Sequence, residues 1–104
     1  MQSITPRELK ARLDQGEHLT LIDVREENER AICQIGGKLI PLAQVPDRAA
    51  EIPRDSTVVV YCRSGGRSGR AIEFLEGQGY TNLINLSGGV LRWSDEVDAD
   101  VQKY

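Results

Sequence analysis

A chain of 104 residues has the usual size of one compact domain, so we expect a single domain over residues 1–104 with one hydrophobic core. Hydrophobic residues make up 39% of the chain and charged residues 28%, which is typical of a globular protein and excludes a disordered one. The formal net charge of -3 argues against a general nucleic-acid binder, which normally carries a basic stripe.

The first predicted element is a short helix near the start of the chain. The segment Thr5–Glu8 reads Thr-Pro-Arg-Glu, which forms a capping box with proline at the first helical position. Leu9 and Leu13 follow at the spacing of one helix face. We expect this helix to end near Gly16.

The rest of the chain alternates between predicted strands and predicted helices. The segments rich in branched apolar residues, which we predict to be strands, are Leu19–Val24, Lys38–Ile40, Thr57–Tyr61 and Leu83–Leu86. The predicted helices between them are Glu26–Ala31, Ala43–Ile52 and Ser68–Gln78, and Gly88 and Gly89 turn into a last helix with a core Trp93. This alternation indicates an α/β fold with a central parallel sheet of about five strands and helices on both faces.

Ligands of such sheets bind outside the carboxyl ends of the strands. One segment at that edge carries the residues Cys62, Arg63, Ser64, Gly65, Gly66, Arg67 and Ser68. Two adjacent glycines let the backbone curl and turn its N–H groups inward, forming an anion-binding nest at the start of a helix. We therefore predict that Cys62 is an ionised nucleophile and that the six residues after it bind an anionic substrate.

Nucleophilic cysteines serve proteases, phosphatases and sulfur carriers alike, and loop length separates these classes. Cysteine phosphatases of the tyrosine type place their arginine after five intervening residues, whereas four residues separate Cys62 from Arg67. The shorter ring should enclose one sulfur atom more readily than a phosphoryl group. A phosphatase or an arsenate reductase on the same scaffold remains the alternative.

The loop Cys-Arg-Ser-Gly-Gly-Arg-Ser resembles the active-site loop of single-domain rhodaneses. The resemblance spans nearly the whole chain and includes Leu21–Arg25, Glu29, Ile35–Gly37, Ile40–Leu42, Gly79–Tyr80, Gly88–Gly89 and Trp93. It implies a thiosulfate sulfurtransferase without a cofactor, in which Cys62 takes sulfane sulfur from an anionic donor such as thiosulfate and passes the persulfide sulfur to cyanide or a thiol. Retention of Cys62 argues against the non-catalytic regulatory modules of this fold.

A second resemblance concerns the acceptor. Ile32–Ile35 and Leu39–Leu42 are similar to rhodanese domains attached to ubiquitin-activating-like adenylyltransferases, although the Gly-His-Ile pattern of many rhodaneses is replaced here by Cys33-Gln34-Ile35. This resemblance implies a small ubiquitin-like sulfur-carrier protein as a partner. It leaves open whether the chain stands alone or is a module of a longer protein.

Several other polar residues have structural interpretations. Asp23 is expected to cap the helix that follows it, and Arg25 to pair with Asp23 or Glu29. Arg67 either contacts the substrate or points outward or towards a carboxylate. Cys33 is expected to be packed among apolar neighbours.

The start of the chain and its few histidine and cysteine residues bear on localisation and metal binding. Met1–Leu9 lacks the basic and apolar run of a signal peptide, and no apolar segment reaches the length of a membrane span, so we expect a cytoplasmic protein without membrane or nucleic-acid partners. His18, expected to be exposed, and two widely spaced cysteines form no metal-binding pattern, so we predict no metal and free thiols.

Overall fold

The computed structural model of the protein describes residues 1–104 and contains one sheet of five parallel strands in the order β1-β5-β4-β2-β3. The strands are β1 (Gln2–Ile4), β2 (Thr20–Asp23), β3 (Lys38–Leu39), β4 (Val58–Tyr61) and β5 (Leu83–Leu86). The helices are α1 (Pro6–Asp14), α2 (Glu27–Ile32), α3 (Val45–Arg48), α4 (Gly66–Gly77) and α5 (Gly89–Glu96). The predicted α/β class, with about five parallel strands, is confirmed.

The central strand β4 explains how the core is arranged. All four of its residues are buried, and successive side chains point to opposite faces of a sheet. Val58 and Val60 pack with α3 and α4, whereas Val59 and Tyr61 pack with α1 and α5. The sheet therefore divides the hydrophobic core into two clusters, and both faces are covered as a parallel sheet requires.

The first helix has the predicted cap. The Thr5 hydroxyl accepts a hydrogen bond from the Glu8 N–H, and the Glu8 carboxylate accepts one from the Thr5 N–H at 2.8 Å. Helix α1 ends at Asp14, and Gly16 follows with a φ of 81°. The predicted start and end of this helix are confirmed.

Three elements differ from the sequence-based prediction. Strand β1 was not predicted, because its three residues include only one apolar side chain, yet it pairs with β5. The predicted helix Ala43–Ile52 is broken into a 3-10 turn (Leu42–Gln44), α3 and a second 3-10 turn (Ala49–Glu51). Pro46, in the first turn of α3, lacks an N–H group and so separates α3 from the 3-10 turn before it. Helix α4 begins two residues earlier than predicted, at Gly66. No helix in the structure is long and apolar enough to span a membrane.

Candidate active site

The predicted site lies where β2 and β4 end side by side. These strands are paired through Asp23 and Tyr61, and the Val24 N–H donates to the Tyr61 carbonyl at 3.0 Å. Cys62 is the next residue after β4, and it is 1% exposed. The topology therefore places the thiol at the carboxyl edge of the sheet, beneath the loop that leads into α4.

The loop surrounds the sulfur with hydrogen-bond donors. The Gly65 N–H donates to Cys62 Sγ at 3.1 Å and the Ser68 N–H at 3.4 Å, while Ser68 Oγ lies 3.4 Å from the same sulfur. Gly65 has a φ of 107°, in the left-handed region that glycine enters without strain. The backbone reversal at Gly65 is what brings donors from both ends of the loop to one atom.

Helix α5 holds the loop from the opposite side. The carbonyl oxygens of Cys62 and Arg63 accept hydrogen bonds from Val90 N–H at 3.0 Å and Leu91 N–H at 3.1 Å. A Cβ on Gly89 would lie 2.4 Å from the Arg63 oxygen, so only glycine permits this approach. Because the carbonyls are held towards α5, the N–H groups of the loop remain free to face the sulfur.

These contacts determine the ionisation of Cys62. Burial by itself raises the pKa of the thiol, since it penalises the charged form. Hydrogen bonds from the Ser68 hydroxyl and from the N–H groups of Ser68, Gly65 and Ser64 outweigh burial, so the net pKa is lowered. The geometry favours a thiolate, which is the nucleophilic form of cysteine.

Arg67 binds a carboxylate in this structure. Its two terminal nitrogens donate to the two oxygens of Glu29, both at 2.7 Å. This bidentate pair lowers the pKa of Glu29 to about 2 and raises that of Arg67, although burial opposes both shifts. The Cys62 thiolate further favours the charged form of Arg67. Of the interpretations that the sequence allows for Arg67, the carboxylate partner is the one observed.

Arg63 contacts a residue that the sequence analysis did not single out. Its guanidinium donates to the main-chain oxygen of Tyr104, at 2.7 Å from Nε, and lies 5.3 Å from the centre of the Tyr104 ring. The Tyr104 hydroxyl accepts from Arg25 Nη1 at 3.0 Å and donates to Glu29 Oε1 at 2.9 Å. The only sequence signal for this contact is the apolar spacing of Val97, Val101 and Tyr104, which pack on the core together.

Comparisons with known proteins agree with this geometry. Residues 5–96 match the family described as Rhodanese-like domain. The chain belongs to this family. The rhodanese-like chain is 40% identical over 95 residues to a protein named Sulfurtransferase from Allochromatium vinosum, covering 90% of this chain and 89% of that protein. The predicted resemblance to single-domain rhodaneses is confirmed.

A second relative is much longer than this chain. The "Probable adenylyltransferase/sulfurtransferase MoeZ" of Mycobacterium tuberculosis is 39% identical over 105 residues, covering 98% of this chain, and this chain spans only 27% of its length. The crystal structure of a rhodanese-like domain protein from Staphylococcus aureus superposes with a TM-score of 0.85 and 32% identity, covering 100% of this chain and 99% of that one. The match to MoeZ confirms the resemblance to adenylyltransferase-linked rhodanese domains.

A buried ion pair lies at the end of β2, beside the candidate site. Arg25 and Asp23 have fully buried side chains and form two hydrogen bonds, at 2.9 Å and 2.8 Å. Burial is the largest influence and lowers the pKa of Arg25, but the hydrogen bonds to Asp23 and Tyr104 and the interactions with their charges together outweigh it, so the net pKa is raised. The predicted pairing of Arg25 with Asp23 is confirmed.

The predicted helix cap at Asp23 is wrong. Its carboxylate is occupied by the Arg25 guanidinium and by the Arg25 N–H, at 3.1 Å, so it does not cap α2. Glu26 is the cap residue, and its N–H donates to the Glu29 carboxylate at 2.9 Å. The Glu29 carboxylate therefore accepts hydrogen bonds both from the N–H group at the start of α2 and from Arg67.

The remaining sequence-based assignments fall into two groups. Cys33 and Trp93 are buried and His18 is exposed, as predicted. Of the residues predicted to bind the substrate, Ser64 in the loop and Gly66 at the start of α4 are exposed, whereas Ser68 is buried.

Asn85 is a residue at the site that the sequence analysis missed. It lies on β5, where Ser68 Oγ donates to its Oδ1 at 2.6 Å and its Nδ2 donates to the Gly65 carbonyl at 3.2 Å. An amide within an otherwise apolar strand was the available signal, since a polar side chain in a buried strand needs partners.

Proposed function

We propose that this rhodanese domain is a sulfurtransferase that carries sulfane sulfur as a persulfide on Cys62. The observation that carries the proposal is the set of N–H donors directed at one buried sulfur, at 3.1 and 3.4 Å. Relatives named as sulfurtransferases at 39–40% identity support the same reaction class. Preformed donors of this kind stabilise negative charge without reorganising during the reaction.

The reaction has two steps. The Cys62 thiolate attacks the outer sulfur of thiosulfate, the S–S bond of the donor breaks, and its electron pair leaves with sulfite. A nucleophilic acceptor then attacks the outer sulfur of the persulfide, and the electron pair of that S–S bond returns to Cys62 as thiolate. Ping-pong kinetics follow, because the donor product leaves before the acceptor reacts.

The loop residues Arg63, Ser64, Gly65, Gly66, Arg67 and Ser68 bind the donor in this proposal. Arg63 is exposed and next to Cys62 in the chain, so it supplies positive charge for the sulfonate group of the donor. Arg67 is held by Glu29 and contributes its charge without leaving that carboxylate. The donor replaces the Tyr104 oxygen as the partner of Arg63.

The acceptor is cyanide, a thiol or a ubiquitin-like sulfur-carrier protein. The sulfur-carrier proposal is supported by the match to MoeZ, whose name joins an adenylyltransferase to a sulfurtransferase. We also propose that residues 1–104 act as one catalytic domain in the cytoplasm, either alone or as a module of a longer protein.

Intact-protein mass spectrometry tests the persulfide directly. Thiosulfate should add the mass of one sulfur atom, dithiothreitol should remove it, and peptide mapping should place it on Cys62. Cys62→Ser should abolish the addition and the turnover of thiosulfate with cyanide, whereas the matched control Cys33→Ser should keep turnover within a few-fold. An unmodified Cys62 under saturating donor, or sulfur found only on Cys33, would exclude the mechanism.

A further inference from the structure

The Ser68 hydroxyl has one hydrogen and three acceptors within reach. Its oxygen lies 2.6 Å from Asn85 Oδ1, 3.1 Å from the Gly65 carbonyl oxygen and 3.4 Å from Cys62 Sγ. A hydroxyl donates only one hydrogen, so at any moment one of these acceptors receives it and the other two do not.

The orientation of the Asn85 amide decides which acceptor is favoured. Its Nδ2 faces the Gly65 carbonyl at 3.2 Å, and this carbonyl already accepts the Gly69 N–H at 3.1 Å. A flipped amide would place two oxygens, Asn85 Oδ1 and Gly65 O, against each other. Oδ1 therefore faces Ser68 and accepts the hydrogen in the shortest of the three contacts.

This arrangement has opposite consequences for the two forms of the sulfur in the proposed cycle. A thiolate is a charged acceptor and draws the Ser68 hydrogen towards Sγ. In the persulfide, Sγ becomes the bridging sulfur, the negative charge moves to the outer sulfur, and Sγ is only a weak acceptor. A buried hydroxyl then depends on its other acceptors, and the Gly65 carbonyl oxygen already accepts the Gly69 N–H, which leaves Asn85 Oδ1 as the nearer and less occupied one.

We propose that Asn85 is a positioning residue that competes with Cys62 for the Ser68 hydrogen and accepts it whenever Sγ does not carry the charge. This inference rests on the proposed sulfur transfer, which it deepens by naming the group that balances the thiolate against the persulfide. Without Asn85 the Ser68 hydrogen is shared only between the Gly65 carbonyl oxygen and Sγ, so the thiolate, as the charged acceptor, receives it more of the time. This stabilises the thiolate and makes it a weaker nucleophile.

The test is the pH dependence of Cys62 alkylation by iodoacetamide, measured in a Cys33→Ser background so that one thiol remains. Asn85→Val introduces a β-branched residue, which suits a buried strand, and Asn85→Ala is the second variant. Each is made with Ser68 present and with Ser68→Ala, while Arg67, the charged side chain that interacts with the thiolate, is unchanged. Trp93 fluorescence and urea unfolding identify the variants that fold.

We expect removal of Asn85 to lower the pKa of Cys62 more when Ser68 is present than when it is absent, with about threefold more thiolate below the pKa in the Ser68 background. Equal shifts in the two backgrounds would overturn the proposal, since they would mean that Asn85 acts only by supporting the Gly65 carbonyl. The proposal would also be overturned if removal of Asn85 raised the pKa of Cys62, and raised it more with Ser68 present than with Ser68→Ala.

The turnover of the same variants gives a second readout. Asn85→Val should lower the kcat for thiosulfate with little change in KM, because the loop donors are kept while the thiolate is less reactive. Alkylation requires no sulfur donor, so the two proposals can fail separately. If no persulfide forms but the Cys62 pKa shift on removing Asn85 still depends on Ser68, the sulfur transfer is rejected. If the persulfide forms but the pKa shift does not depend on Ser68, the role of Asn85 is rejected.

Discussion

Two sets of contacts surround Cys62, and they are built differently. The inner set consists mainly of the backbone N–H groups of Ser64, Gly65 and Ser68, together with the Ser68 hydroxyl, and all lie within six positions of Cys62. The outer set consists of side chains and joins Arg67 to Glu29, 38 positions away, and Arg25 to Tyr104, 79 positions away. The inner set therefore depends on loop length and backbone geometry, whereas the outer set depends on individual side chains.

The largest effect should come from changing the length of the inner loop. Insertion of one glycine between Gly65 and Gly66 widens the ring of donors and moves Arg67 to the phosphatase spacing, so most thiosulfate turnover should be lost. The native protein should not hydrolyse aryl phosphates above background, and the insertion variant should gain at most weak phosphate or arsenate binding.

The control is a glycine inserted between Glu17 and His18, in the exposed segment between α1 and β2, which should keep turnover. Both activities are measured on all three proteins. Robust phosphatase activity of the native protein, or unchanged sulfur transfer in the folded loop variant, would contradict the loop-length argument and favour the phosphatase alternative.

A smaller effect is expected from breaking the outer set at Glu29. The pKa of this carboxyl is lowered to about 2 by Arg67, so the pair stabilises the fold above the ordinary carboxyl pKa and loses that contribution as the pH falls towards 2. Glu29→Gln should reduce the free energy of unfolding at neutral pH by about 1–2 kcal/mol.

Urea unfolding at neutral pH and at about pH 2 measures this contribution. The difference between Glu29→Gln and the native protein should shrink at the lower pH, because the native carboxylate becomes protonated there. Glu27→Gln, an exposed change on the same helix, is the matched control and should show no such difference. A Glu29→Gln deficit that is the same at both pH values would show that the ion pair with Arg67 is not its source.

An effect on stability of similar or smaller size distinguishes the two adjacent glycines, Gly65 in the loop and Gly66 at the start of α4. Gly65 has a φ of 107°, whereas Gly66 has no positive φ and has open space where a Cβ would stand. Gly65→Ala should lower the free energy of unfolding by about 1–2 kcal/mol, because alanine is strained in that region. Gly66→Ala lies in the first turn of α4 and should be neutral or stabilising by up to about 1 kcal/mol. Equal losses from both changes, measured by urea unfolding, would show that backbone conformation does not distinguish them.

The sequence predicted the inner set better than the outer one. Cys62, the glycines and the start of α4 are contiguous, so the sequence alone predicted that backbone N–H groups of this loop surround the sulfur. The partner of Arg67 was not, because Glu29 follows a different strand and approaches Arg67 only once β2 and β4 are paired. Tyr104 was missed for the same reason, since its contacts depend on where the last segment of the chain packs.

The fold shows a similar division. Strands with several branched apolar residues, such as β4, were predicted, whereas the three-residue strand β1 is defined only by its pairing with β5. The separate start of α3 could have been predicted, because Pro46 lies in its first turn and a proline within a helical pattern is a local signal for a helix start. Contacts between segments distant in the chain remained beyond the reach of pattern and spacing.

The position of Tyr104 has a practical consequence for preparing the protein. Its main-chain oxygen contacts Arg63, and its hydroxyl bridges Arg25 and Glu29. Residues joined after Tyr104, such as a purification tag, would begin beside Arg63 at the rim of the candidate site. Kinetic constants should therefore be compared between protein with a cleaved tag and protein that retains it.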